Sequence, residues 1–546
     1  MHRTILPLSL LLLLSSIAPV LAQNNPLEAS LPESVLTQHN DISRTGNDYR
    51  ETVLNTTNVN PATFGKLFTR AVDGQMYPQP LYVPNLPIPH VGVRNVIFLE
   101  TDNNSAYAYD ADDPAASTPF WHVNFGPPAP SSDFYTPPIT DMNENVGITS
   151  TPVIDLDRGE IFMESKTKVD GKYHQKLHAL NIYTGAEEPG SPVEITATVK
   201  AAGYDAVNGV ISFSPFTQLQ RPGLLLDHGL ITVCFGSHGD HFQFHGWVMQ
   251  YTEDLKQVNV FCSTPTGSDG EGSFWMAGQG AAADPDGNIY VSAGNGATDA
   301  RTGGPNYSQS ILRLNFSKPG NPVMDFFTPY NADQLNKNDS DLGSCGLFLV
   351  PNTHLILTGS KTGMFYLIDR DNMGHYHPND DNEIVQSFQA GWGHIHGSPV
   401  YYDDAGKNQY FYAWSENDHL RQYQFINGKI NETPVSLSPN VVPHGMPGGI
   451  LAVSSDHNKS GTGIIWATHA YDGDANWLTQ EGLFQAFDAR DVSKELWNSK
   501  MNEARDDMGN FAKFCPPTIA NGKIYLSTFS NQLVVYGLLP KTAPTH

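Results

Sequence analysis

The chain has 546 residues, with 31 lysines and arginines against 56 aspartates and glutamates and a formal charge of −25, which excludes a general nucleic-acid binder because phosphate contacts need clustered cations. At 39% hydrophobic and 11% aromatic residues it has the apolar material for a large core and is not a disordered chain. Glycine (48) and proline (39) are frequent enough to punctuate the chain with tight turns, which points to a sheet protein rather than a helical one.

The first residues are Met1-His2-Arg3, followed by an apolar run from Leu6 to Val20 and small residues before Gln23. That pattern reads as a secretory signal peptide over residues 1–22, cleaved near Ala22, and places the mature protein in the periplasm or outside the cell. No later run reaches the roughly 18 apolar residues of a membrane span. Residues 64–538 read as one repeating domain, with residues 23–63 as an N-terminal arm lying over one of its faces or its rim, and 539–546 as a C-terminal tail.

Eight short apolar segments recur, each opened by proline or glycine, beginning at Gln79, Thr151, Arg221, Gly280, Gly346, Ser398, Gly448 and Pro516. Pro80 and Pro517 stand seven repeats apart, a period of about 62 residues that predicts a β-propeller. Each unit reads as four antiparallel strands, A to D. In the last, Asn521-Gly522 is a hairpin turn between A and B, Ile524 to Ser527 is B, and Gln532 to Leu538 is C. No fourth strand comes after it, while Phe64 to Val72 precedes the first A strand with nothing before it to pair with. The expectation is an all-β, eight-bladed propeller of four-stranded blades, its ring closed by N- and C-terminal strands. Closure removes the exposed edges that template aggregation; seven blades is the alternative count.

The four cysteines, at 234, 262, 345 and 515, are widely spaced. Cys234 and Cys262 fall on strands B and D of one blade, about 9 to 10 Å apart and beyond disulfide reach, so four free thiols are expected. The absence of Cys-x-x-Cys-His excludes covalent c-type haem.

Three units share an apolar C strand, an Asp or Asn, a turn and a D strand: Ala106 to Asp110 with Trp121, Leu177 to Ala186 with its Thr184-Gly185 turn, and Phe484 to Ala489 with Trp497. This pattern resembles the tryptophan-docking repeat of the pyrroloquinoline quinone (PQQ) dehydrogenase-like propellers, in which the tryptophan packs between blades. The resemblance implies an eight-bladed ring with PQQ on the axis, a Ca²⁺ ion held by Glu, Asn and Asp, and an aspartate base. It also implies an adjacent Cys-Cys disulfide over the quinone, from which this chain departs because no two of its cysteines are adjacent.

Because A and B are antiparallel, the D–A and B–C loops share one mouth of the ring. His394 and His396 alternate along an extended segment and face one way; they can bind a metal, shuttle protons or brace each other. With Lys361, a cation able to hold a carboxylate or polarise a carbonyl, they are the candidate catalytic residues. Trp275 offers a stacking ring and Lys513 a cation which, with Gln220 and Gln279, are the candidate cofactor contacts. Glu144 and Asn145 offer the oxygen donors Ca²⁺ prefers. The loop from His238 to His245 has no recognised ligand spacing and reads as solvated. Three function classes are compatible with these residues. The first is an exported oxidoreductase acting on alcohol or sugar hydroxyls with PQQ and Ca²⁺. The second is a non-catalytic extracellular propeller binding a glycan or protein at the mouth, and the third a metal-assisted hydrolase or lyase using the histidine pair.

Overall fold

The computed structural model describes residues 33–136, 141–318, 320–457 and 459–540; the leader read over residues 1–22, residues 23–32 of the arm and residues 541–546 of the tail lie outside them. Among the described residues no helix is long and apolar enough to cross a membrane.

Eight antiparallel sheets succeed one another along the chain, each ordered A-B-C-D. Their A strands are Leu81–Ile88, Val153–Asp155, Leu225–Asp227, Ala282–Ala283, Leu347–Leu349, Val400–Asp403, Ile450–Ser454 and Thr518–Ala520. Every one lies in a segment that proline or glycine opens in the sequence, and the count is eight rather than seven. The proline or glycine turns the chain inward from the outer D strand, and the apolar residues behind it bury against the neighbouring blades.

Phe64–Ala71 pairs antiparallel with Gln532–Leu538, from Phe64 opposite Leu538 to Ala71 opposite Gln532, with one bulge between Lys66 and Phe68. Blade eight is therefore made from both ends of the described chain, and the ring is closed. The outer edge of blade four carries a further short strand, His375–Tyr376, paired parallel to its D strand.

Tryptophan docking is visible at Trp121. Its indole N–H donates to the Ile182 carbonyl of the next blade at 3.0 Å, and its ring lies so close over Gly185 that a Cβ there would come within 2.7 Å of it. Gly185 has φ +72°, so that turn is left to glycine both by its backbone and by the ring above it.

The described part of the arm, from residue 33 onward, lies neither over a face nor on the rim. It runs inside the ring and meets the inner strands in order. Val35 bridges Tyr82 of blade one, Leu36 accepts from Ile154 of blade two, Ile42 from Ala283 of blade four, Ser43 from Leu349 of blade five and Thr45 from Tyr401 of blade six. Asn47–Asp48 then pairs parallel with the A strand of blade seven, and the Glu51 carboxylate accepts from the Gly522 amide of blade eight at 3.1 Å. Inner edges of propeller blades have amides with no partner in their own sheet, and an extended segment threaded round the axis satisfies them.

All four cysteines are free and buried. Cys234 and Cys262 stand on strands B and D of blade three with strand C between them.

Candidate functional site

The D–A and B–C loops bring two groups of side chains together at the mouth. The first is built round Asp141, which precedes blade two. Its carboxylate faces Arg221 at 3.3 Å and Lys513 at 3.5 Å. Burial alone would raise the Asp141 carboxyl, but Arg221 and Lys513, with His396 nearby, hold it below the usual carboxylate range. Burial pulls Lys513 down to about 8, against the opposing pull of Asp141, and its ammonium also donates to the Asn476 carbonyl at 2.7 Å. The Arg221 guanidinium lies over Phe514 at 4.6 Å and over Trp275 at 5.6 Å from the ring centres, a cation held between two aromatic faces.

The second group belongs to the loops of blade six. His394 Nδ1 and His396 Nε2 lie 3.5 and 3.4 Å from Glu416 Oε1. His396 and Glu416 are buried, while the His394 side chain is 44% exposed to the mouth. Burial lowers His394 despite the carboxylate beside it. Burial would raise Glu416, and His396 and His394 bring it below its usual range. The His396 ring stands edge-on to Phe514 at 6.1 Å, which joins the two groups into one surface.

Of the residues singled out from the sequence, His394, His396, Trp275 and Lys513 meet here. Lys361 sits beside the second group, but its ammonium is taken by Asp341 at 2.6 Å and Asp339 at 3.0 Å. Burial would lower it, and those carboxylates raise it above the ordinary lysine value. Gln220 and Gln279 are buried; their amides donate to the Pro222 and Leu347 carbonyls, both at 2.5 Å, and each leaves its Oε1 without a partner. Glu144 is exposed, and Asn145 donates its amide to Asn103 at 2.6 Å.

The histidine-rich loop of blade three is solvated only at its tip, from Gly239 to Gln243. His238 and His245 are both buried. The Lys166 amine donates to the carbonyls of Phe216 and Gln218 at 2.9 Å and lies 2.7 Å from His238 Nε2, and the Tyr135 hydroxyl lies 3.1 Å from His238 Nδ1. His245 is held between Thr264 and Asp205.

Sequence reasoning overlooked Asp141, Arg221 and Phe514. Arg221 stands in the segment that opens blade three, where it reads as part of a turn. A guanidinium beside an A strand on so acidic a chain was the available signal. Glu416 is visible as a B–C loop residue, but no spacing joins it to the histidine pair.

Behind the mouth, Glu100 ends the B strand of blade one, fully buried with neither carboxylate oxygen hydrogen-bonded. Burial raises it from 4.5 to about 8. The native state therefore keeps this proton up to about pH 8 while the unfolded chain loses it near 4.5, so stability falls as pH rises through that window, by at most about 1.4 kcal/mol per pH unit. Thermal midpoints recorded from pH 5 to pH 8 are expected to decline less steeply in Glu100→Gln than in the parent. Parallel curves would show that Glu100 is ionised in the native protein.

Neither a protein-family model nor a curated sequence matches the chain. Solved structures do. A quinohemoprotein alcohol dehydrogenase from Pseudomonas putida HK5 is 15% identical with a TM-score of 0.54, over 94% of this chain and 82% of that one. The quinohemoprotein alcohol dehydrogenase of Comamonas testosteroni is 11% identical with a TM-score of 0.55, over 93% and 82%. A europium-containing methanol dehydrogenase is 14% identical with a TM-score of 0.55, over 93% and 99%. The protein thus has the fold of the quinoprotein alcohol dehydrogenase propellers, and at these identities the likeness is one of fold.

Proposed function

We propose that the protein is an exported, quinoprotein-like oxidoreductase that acts on an alcohol or sugar hydroxyl at the axial mouth. The observation that carries this reading is the junction at Phe514, where Arg221 and Lys513, both held on the Asp141 carboxylate, and two aromatic rings adjoin a His-His-Glu cluster. PQQ is a planar tricarboxylate, and this junction has the chemistry to hold one. Arg221 and Lys513, shared with Asp141, would turn to its carboxylates, and Trp275 or Phe514 would meet its ring. When bound, the quinone supplies the acceptor for the two electrons of the hydroxyl. The expected calcium donors fit less well, since Asn145 gives its amide to Asn103 and the cluster at the mouth is rich in nitrogen. In this reading the substrate hydroxyl is received at the mouth beside His394, His396 and Glu416, while Lys361, paired with two aspartates, positions the loop beside His394.

Titration of the apo-protein with PQQ, followed by dye reduction with simple alcohols and aldoses, tests the reading. Arg221→Ala and Trp275→Ala are each expected to weaken quinone uptake about tenfold or more, the equivalent of one charge-assisted or stacking contact. A folded protein that takes up no PQQ at any calcium concentration would overturn it.

A second reading, a glycan-binding propeller, is favoured by Trp392. Its side chain is 78% exposed two residues before His394, with the Arg421 guanidinium 5.6 Å from its ring centre and Arg421 itself fixed on Asp418 at 2.7 and 2.9 Å. An exposed indole with its orientation secured is a surface for a sugar ring. Under this reading an oligosaccharide quenches tryptophan fluorescence in the parent and not in Trp392→Ala, with no turnover in either.

A further inference from the structure

We propose that His394, His396 and Glu416 form a binding site for one divalent transition-metal ion, with nitrogen-preferring rather than calcium-like chemistry. The inference does not depend on the quinone.

The geometry is that of ligands gathered round a common point. One donor atom from each residue lies within 4.8 Å of the others, and the two histidine nitrogens stand 3.5 and 3.4 Å from Glu416 Oε1. Ligands at about 2.0 to 2.1 Å from a tetrahedral ion are separated from one another by about 3.3 Å, so these distances need little adjustment. His394 Nδ1, His396 Nε2 and Glu416 Oε1 are also all buried atoms without a hydrogen-bond partner. Three unpartnered polar atoms aimed at one place are costly unless something there satisfies them. A proton shared among them can serve only one pair at a time, whereas a metal ion serves all three.

The backbone holds the three donors in place. The Glu416 amide donates to the His394 carbonyl at 3.0 Å, and the Ile395 amide to the Ser360 carbonyl at 3.1 Å, while the Ser344 hydroxyl donates to the Ile395 carbonyl at 2.9 Å. At Gly393 a Cβ would collide with the Glu416 carbonyl, so a side chain there would push the two ligand loops apart. Two other acid-rich clusters among the described residues differ, although Glu383 in one of them also has both carboxylate oxygens without a hydrogen-bond partner. Glu481, Glu503 and Asp507 already share the Lys500 ammonium, and His377, Asp380 and Glu383 lie in a loop where the His377 side chain is 57% exposed. Two imidazoles and one carboxylate suit Zn²⁺, Co²⁺ or Fe²⁺, and they leave at least one coordination position for water or a substrate oxygen.

The test uses the full chain, stripped with chelator and titrated with Co²⁺ in the absence of quinone, dye and substrate. One Co²⁺ per chain, with ligand-field absorption bands that Zn²⁺ abolishes and millimolar Ca²⁺ does not, is the expected result. His396→Ala and Glu416→Gln are each expected to weaken binding at least about 100-fold, and His394→Ala, at the half-exposed ligand, to do so without disturbing the near-ultraviolet dichroism of the fold. No saturable Co²⁺ uptake by the stripped parent, displacement by Ca²⁺, or unchanged uptake in a folded His394→Ala protein would each overturn the site. Because the titration contains no quinone, its failure leaves the oxidoreductase reading standing, and failure of PQQ uptake leaves the metal site standing.

Discussion

Phe64→Ala is expected to cost about 3 to 5 kcal/mol of stability, the usual range for removing a fully buried phenylalanine. Phe64 is the first residue of the strand that closes blade eight, and its ring has no exposed surface. It packs on Trp497 at 5.0 Å and Trp466 at 5.4 Å, both in blade seven, and on Tyr536 at 6.4 Å in blade eight. The substitution therefore opens a cavity where two blades meet and loosens the only strand that joins the two ends of the described chain. Thermal unfolding monitored by circular dichroism, with limited proteolysis of the C-terminal strand, measures the effect. Lys66→Ala, in the same strand but partly exposed, serves as the comparison and is expected to change stability by less than about 1 kcal/mol. If the two variants unfold together, the aromatic contacts at the seam do not hold the ring closed.

Arg44→Ala is expected to be comparably damaging, by about 3 to 5 kcal/mol, and to release the arm from the axis. Arg44 is fully buried, and burial lowers it to about 10, still a cation at neutral pH. Its guanidinium donates to the Ala281 carbonyl at 2.9 Å, to the Thr37 hydroxyl and the Gln38 carbonyl at 2.7 Å, and to the Leu224 carbonyl at 3.2 Å. One side chain thereby fastens the arm to the A strands of blades three and four. Its removal leaves those carbonyls without donors and Asp41 without its counter-charge. Gly280 leaves room for it, since a Cβ there would run into Nη2. Arg50, whose side chain is 36% exposed and pairs with Asp48 at 3.5 Å, is the contrasting case, expected to lose no more than about 1 kcal/mol as alanine. Proteolysis within residues 33–51 of Arg44→Ala, at protease levels the parent resists, would confirm release. A parent-like pattern would show that the backbone hydrogen bonds of the arm suffice to hold it.

The blades were legible because their signals are local. A proline or glycine before each A strand and the Asn521-Gly522 turn act within a few residues, and periodicity makes eight weak signals reinforce one another. Closure was legible for a different reason: Phe64 to Val72 has the pattern of a strand and no neighbour in sequence to pair with. The course of the arm was not legible. Thr37 to Asp48 is polar and reads as surface, yet Gln38, His39, Arg44, Thr45, Asn47 and Asp48 are all buried. A polar residue is stable inside when inner strand edges supply partners for it, and no sequence pattern reports those edges. The same reason explains the two ends of the loop from His238 to His245, where His238 is buried on Lys166 and His245 on Asp205.

At the mouth the division is the same. The alternation of His394 and His396 is a two-residue property, and the sequence by itself determined that both would face one way from one loop. It also determined the strands, their number, the closure of the ring and the absence of disulfides among four thiols, all consequences of pattern and spacing. Only the tertiary structure decided that Glu416 completes the histidine pair, that Asp141 joins Arg221 to Lys513, and that Lys361 is bound to Asp339 and Asp341. Each of these depends on loops from different blades arriving at one axis within a few ångströms. Electrostatic and metal-ligand interactions act over just that distance, and sequence separation carries no information about it.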